Sequence, residues 1–321
     1  MSGVTLNPAV RGRLVTVAQG EVGSPRVSGD GRVVVWNELT GKGLEIRRWQ
    51  DGRVETLTDN EVPDMMPDVN GDGSVVVWTR ETEPNNWDIV QLRDGKESVV
   101  SAGPGNELYH AVSADGSTIV FDDDLDGRWS DFRVRQWKDG EVTTVAEGGG
   151  AIHEFPVVDG DGGRVAWRRS GEGGSDLWLR DEAGTVKPLL EQKGIEVTPS
   201  FSPDGRLLAW SNDSRGDEDV YLWNLQGGNP QVVAGQQGVD EMWPDLSADG
   251  RVVAWTESDQ RVAEPGMQIV LRDGDQVVPL TADPNGLNAH ARLSEDGRVV
   301  VWMWQDRENT SDRKIYRFER D

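Results

Sequence analysis

Ser247-Ala248-Asp249-Gly250-Arg251-Val252-Val253-Ala254-Trp255 is written, with small changes, seven times along the chain. The other copies end at Trp36, Trp78, Phe121, Trp167, Trp210 and Trp302. Their Asp-Gly turns begin at Asp30, Asp72, Asp115, Asp161, Asp204, Asp249 and Asp296, so neighbouring copies lie 42, 43, 46, 43, 45 and 47 residues apart. Each copy reads as a turn followed by a near-continuous apolar run, the pattern of a strand covered on both faces. In the sixth unit, Asp245 to Ser247 precedes the turn, Met267 to Leu271 forms a third strand, Asp273-Gly274 a second hairpin turn, and Gln276 to Thr281 a fourth strand. A repeat of this length built from four short strands predicts propeller blades.

The fold expected is therefore all-β: a single seven-bladed β-propeller spanning 1–321, four antiparallel strands per blade. Residues 1–10 are a tail, and blades start near Ser24, Met66, Tyr109, Phe155, Thr198, Trp243 and His290. Third strands recur through Lys314–Phe318, but the seventh unit has no fourth strand before the chain ends. The segment from Arg13 to Ala18 has the pattern of an outer strand and is expected to complete the last blade, because an unclosed blade would expose a ladder of unpaired backbone groups. The Asp-Gly turns then share one face. The other face carries the variable loops between second and third strands and the links entering each inner strand, where function on a repeat scaffold usually sits.

Composition narrows the partners. The 57 acidic residues against 33 basic ones leave a formal charge of −24, which repels phosphate backbones and argues against nucleic acid. The 39 glycines, 15 prolines and 36% apolar content suit short strands and frequent turns. No apolar run is long enough to span a bilayer. With no cysteine there is no thiol catalysis and no thiolate metal site. The N-terminus lacks a basic region followed by an apolar one, so the chain as written reads as cytoplasmic, or periplasmic or secreted if a signal was removed.

The entry Pro199-Ser200-Phe201-Ser202-Pro203-Asp204-Gly205, with Ser211-Asn212-Asp213-Ser214-Arg215-Gly216, Asp219-Val220-Tyr221-Leu222 and Trp243-Pro244-Asp245-Leu246, resembles the WD-like repeat of the TolB propeller and of bacterial propellers related to it. The resemblance runs from about Ser24 to Asp321 and implies the propeller fold. It leaves function open, since similar repeats serve adaptors, peptidase propeller domains and a few lyases. Seven units stand here where the TolB propeller has six. Nothing in the sequence matches TolB's extra α/β domain or a peptidase domain, so TolB's partners do not carry over.

The seven repeated aromatics read as wedges between blades. Candidate site residues are those the repeat does not share. His110, His153 and His290, the only histidines, fall in the links entering inner strands, at the expected channel mouth. Tyr109, Glu154, Glu196, Glu241 and Trp243 join them. Further carboxylates lie in the same links (Glu21, Asp64, Glu107), and Lys42, Arg80, Arg128, Arg168, Arg169, Arg215, Arg261 and Arg307 lie in the adjoining loops. Aromatics and arginines on a polar rim suit a binding surface, and acids paired with arginines into a static ring are the alternative. Asp122, Asp124 and Asp126, with Gly127 sixth, imitate the opening of a calcium loop, although Arg133 stands where the bidentate glutamate belongs. A solvated polar loop is the other reading.

Three functions follow. The first is a monomeric, non-catalytic scaffold recognising a protein, peptide or small polar ligand at the loop face. The second resembles the oligogalacturonate lyases, seven-bladed relatives that bind a metal through histidines. The third is a structural or engineered repeat propeller without a ligand.

Overall fold

The computed structural model describes residues 3–321 except 125–130, 149, 172–173, 191–193 and 285. Its 28 strands form seven four-stranded antiparallel sheets. Blade 1 runs Val22–Val27, Val33–Leu39, Leu44–Gln50 and Arg53–Thr56 from channel to rim. Blades 2 to 6 repeat this order. Blade 7 consists of Gly286–Leu293, Val299–Asp306 and Arg313–Arg320, and Gly12–Gly20 supplies its outer strand. That strand pairs from Gly12 opposite Arg320 to Gly20 opposite Arg313, so the expected closure by the N-terminal strand is realised. Residues before it are also docked: Leu6 bridges Thr281, and Val4, Leu6 and Val10 pack on the core of blades 6 and 7.

The repeated aromatics hold the seams between blades. Trp36, Trp78, Phe121, Trp167, Trp210, Trp255 and Trp302 are all buried. Each packs into the blade before its own: Trp78 meets Val33, Val35 and Ile46, and Trp36 meets Val301 and Ile315 across the closure. An aromatic of this size contributes roughly 4–6 kcal/mol of gross transfer energy when fully covered.

The Ser-x-Asp-Gly turns repeat one network. Ser247 Oγ donates to Asp249 Oδ1 (2.7 Å), Arg251 N donates to the same oxygen (3.0 Å), and Val252 N donates to Ser247 Oγ (3.0 Å). Glycine is needed because φ is positive there (+73° at Gly31), and because a Cβ on Gly31 would lie 2.7 Å from Val299 of blade 7. Main-chain hydrogen bonds such as Glu295 N to Gly29 O and Gly71 N to Ala114 O tie neighbouring turns into a girdle around the lower end of the channel.

Candidate functional site

The inner strands are not regular. In every blade the pairing of first and second strands slips by one residue, so that two inner-strand residues stand opposite the repeated aromatic: Ser24 and Pro25 opposite Trp36, Phe155 and Pro156 opposite Trp167, and likewise around the ring. The first residue of each bulge has a left-handed backbone. These are Ser24, Met66, Tyr109, Phe155, Thr198, Trp243 and His290, with φ between 40° and 58°. None is glycine, and each such conformation costs about 1–2 kcal/mol for an L-residue. The bulge residues stand in one ring where the links enter the channel, and their side chains differ from blade to blade.

The ring carries two aromatic pairs. Tyr109, 40% exposed, meets Phe155 edge-on with centroids 4.4 Å apart. Trp243 stacks on His290 at 4.2 Å and 25°. The Arg168 guanidinium lies 4.6 Å over the Phe155 ring and is held by Glu154 at 2.7 Å. Below the ring opens a cavity of about 330 Å³ lined by Tyr109, Phe155, Thr198 and the inner strands.

The other expected mouth residues separate. His153 is buried: its Nδ1 accepts the Trp167 indole N–H at 3.0 Å and its Nε2 donates to Gly148 O at 3.1 Å, and burial pushes its pKa down. Glu241 is buried too, its Oε1 accepting from Gln236 N at 3.1 Å, with its pKa raised to about 7 by burial and neighbouring carboxylates. His153 and Glu241 therefore do not line the mouth. Both occupy the position two residues before the bulge, a slot beside the blade's own aromatic. In that slot Asp64 accepts the Trp78 N–H at 2.7 Å and Asn288 the Trp302 N–H at 3.0 Å. Glu107 fills it in blade 3, where Phe121 has no N–H to offer, and burial with Asp123 and Asp88 nearby raises its pKa to about 8. Glu196 pairs with Asn212 in blade 5, and its side chain lies outside the described residues.

The His110 ring reaches into the seam with blade 2. Its Nδ1 lies 3.2 Å from Thr79 Oγ1 and its Nε2 3.3 Å from Val77 O, and burial lowers its pKa to about 4. The pKa of His290 also falls to about 4, through burial and then Arg292 and Arg26. The three histidines thus do not converge, and in two of them both ring nitrogens are engaged. Among the described residues no three His, Cys, Asp or Glu side chains are placed to hold a metal.

Asp122 and Asp124 lie in the paired second strand of blade 3, not in a loop, and both are buried. Asp122 accepts the Phe155 N–H of blade 4 at 3.2 Å, and burial raises its pKa well above the carboxylate range. Asp126 lies outside the described residues, as does Arg128. An extended strand turns alternate carboxylates along one face, so Asp122 and Asp124 stand along a strand and not around a turn.

The loop cations are mostly spoken for. Lys42 pairs with Asp59 (2.8 Å), Arg80 with Asp64 (2.7 Å), Arg215 with Asp219 (3.3 Å), Arg261 with Asp259 (2.7 Å) and Arg307 with Glu264 (3.8 Å). Arg169 instead lies 5.0 Å over the Trp178 ring. A largely self-paired ring of charge surrounds the aromatic rim. Sequence reasoning missed the bulge, whose trace is the proline at one offset in five units: Pro25, Pro67, Pro156, Pro199 and Pro244.

Residues 138–318 match the family described as the TolB beta propeller domain. A stretch of 112 residues is 35% identical to the Protein TolB homolog of Chlorobium chlorochromatii, covering 32% of this chain and 23% of that one. Another of 167 residues is 25% identical to the Tol-Pal system protein TolB of Wolinella succinogenes, covering 51% and 39%. The matched stretches thus span well under half the length of these relatives. In fold, the chain is similar over 99% of its length to an oligogalacturonate lyase from Vibrio parahaemolyticus, of which it covers 96%, with TM-score 0.75 and 13% identity. Among the described residues no helix is long and apolar enough to cross a membrane.

Proposed function

The chain belongs to the TolB beta propeller domain family, and on that premise we propose that it is a non-catalytic recognition scaffold taking a protein or peptide segment at the rim of its central channel. One observation carries this reading. Seven blades repeat the same strained bulge with a different side chain on each, and Tyr109, Phe155 and Thr198 of that ring line one cavity. Tyr109 with Phe155, and Trp243 with His290, supply rigid aromatic area of the kind that dominates interface energetics. The self-paired charges around them suit a polar border.

The lyase alternative has the fold in its favour but requires histidines able to share a metal. His153 is committed to Trp167 and Gly148, and His110 to Thr79 and Val77, in separate seams. The side chains present do not fit that group.

A selection of displayed peptides against the immobilised protein, counter-screened on Tyr109→Ala and Trp243→Ala, tests the proposal. Peptides that enrich on the wild type and lose at least about tenfold in affinity on either variant are expected. No enrichment, or undiminished binding to both variants, would overturn it.

A further inference from the structure

Below the rim, the channel wall is set by the residue two positions after each bulge residue. Blades 3 to 5 place Ala111, Val157 and Ser200 there, whereas blades 6, 7, 1 and 2 place Asp245, Arg292, Arg26 and Asp68. The two aspartates already serve neighbouring blades. Asp245 accepts from Leu293 N and Ser200 Oγ, both at 2.8 Å, and Asp68 accepts from Val112 N at 3.0 Å.

The two arginines are served far less well. Arg26 reaches Asp68 only at 3.6 Å and otherwise donates to Pro25 O at 3.3 Å. Half-buried Arg292 donates to Ala291 O at 3.0 Å and has no carboxylate within 4 Å among the described residues. A guanidinium carries five N–H donors, so most of those on this adjacent pair point at no protein acceptor. The pKa of Arg292 falls to about 10, through burial first and Arg26 second, as expected for like charges crowded without full compensation. His290 above them stays neutral near neutral pH. Glu295 lies at the lower end among the turns, where a Cβ on Gly71 would come within 3.2 Å of its Oε1, and burial raises its pKa. On a chain of charge −24, these two arginines are cations set in the channel wall with incomplete compensation.

We propose that the channel is a carboxylate seat: a peptide segment held at the aromatic rim directs one carboxylate, from an acidic side chain or a chain terminus, between Arg26 and Arg292. This rests on the rim being a binding surface. Two planar guanidinium groups facing one cavity match the bidentate geometry of a carboxylate, and the uncharged wall of blades 3 to 5, whose Ser200 hydroxyl already donates to Asp245, leaves the remainder of the ligand little else to satisfy.

The test uses the 321-residue protein labelled with ¹⁵N at arginine, observing Nε–Hε resonances assigned through Arg26→Gln and Arg292→Gln. N-acetylglycine offers a terminal carboxylate, N-acetylglutamic acid α-amide a side-chain carboxylate, and N-acetylglutamine amide neither. At least one acid is expected to shift both arginines saturably, with Kd on the order of 1 mM, and the neutral amide is not. The double Gln variant should weaken binding at least about tenfold, and Arg292→Lys, which keeps charge but loses the fork, should fall between. The acid that binds more tightly identifies the source of the carboxylate. No saturable shift with either acid, equal shifts with the amide, or unchanged affinity in the double variant would overturn the seat. Rim-selected peptides that ignore the double variant would overturn the seat and leave the rim reading standing. Acids that bind the arginines while no peptide is selected would do the reverse.

Discussion

Replacing Glu107 with glutamine should flatten part of the protein's dependence of stability on pH. Glu107 is 1% exposed beside Phe121, its Oε2 has no hydrogen-bond partner, and its Oε1 accepts only weakly from Ser101 Oγ at 3.4 Å. Burial, then Asp123 and Asp88, raise its pKa from 4.5 to about 8. The folded protein therefore holds this proton more tightly than the unfolded chain. Below about pH 4.5 both states are protonated, and above about pH 8 both are ionised. Between those limits folding takes up a proton, so stability falls as pH rises. At 1.36 kcal/mol per pH unit, the three units from about pH 5 to about pH 8 amount to roughly 4 kcal/mol. Glutamine keeps the shape and cannot ionise. Urea titrations of both proteins across that range should give unfolding free energies whose difference, variant minus wild type, grows with pH by an amount of this order. Glu241 and Asp159, whose pKa values are raised to about 7 and about 6, titrate in both proteins and cancel in the difference. Parallel curves would refute the reasoning, because they would mean that the folded protein accommodates the ionised carboxylate as readily as water does.

Two further outcomes test the scaffold. Deleting residues 1–20 removes the strand paired with Arg313–Arg320, the burial of Val17 and the docking of Leu6, and exposes a sheet edge. It should cost at least about 5 kcal/mol, a large part of a domain's whole stability, and an unchanged thermal midpoint would contradict the closure. Thr198→Gly relieves a β-branched residue from φ of 48° and removes a buried hydroxyl without a hydrogen-bond partner, so it should raise stability by roughly 1 kcal/mol in the same denaturation assay. A loss of stability would show that the Thr198 side chain contributes more than its backbone strain.

The fold was legible because the features that build it are shared by every blade. An Asp-Gly turn, with serine two residues before the aspartate in five units and Asn70 or Asp159 in the other two, closes through contacts within five residues, and the apolar run that follows can only be a covered strand, so seven copies give seven blades without any long-range knowledge. The site was less legible because a bulge defeats counting by twos. In a regular strand Val22 and Val27 would face opposite seams. The inserted residue at Ser24 turns both toward blade 7, where they share a cluster with Trp36. The same slip carries His153 under Trp167 and leaves Glu241 buried, although the sequence places them only two residues from the rim. The signal existed in a coupling across fourteen positions: a polar residue at 64, 153 or 288 answers a tryptophan at 78, 167 or 302, and Glu107 is left without that partner because its blade has Phe121.

The bulges also bear on why binding is proposed at this end of the ring. Seven left-handed residues at about 1–2 kcal/mol each sum to roughly the net stability of a whole domain, so the seams must hold them in place. A scaffold that needed only to close could set glycine at these positions, as it does in the turns at the other face. Here side chains are kept instead, and they vary from serine to tryptophan on one backbone geometry. The strain then has a consequence that packing does not require: it fixes the direction of each rim side chain before any ligand arrives, which lowers the entropy lost on binding. Beneath that rim, Arg26 and Arg292 stand in a channel whose aspartates are engaged by the neighbouring blades. Preorganised aromatics above and two incompletely partnered guanidinium groups below form one continuous surface, and a peptide presenting an apolar side chain and a carboxylate at that spacing would meet both.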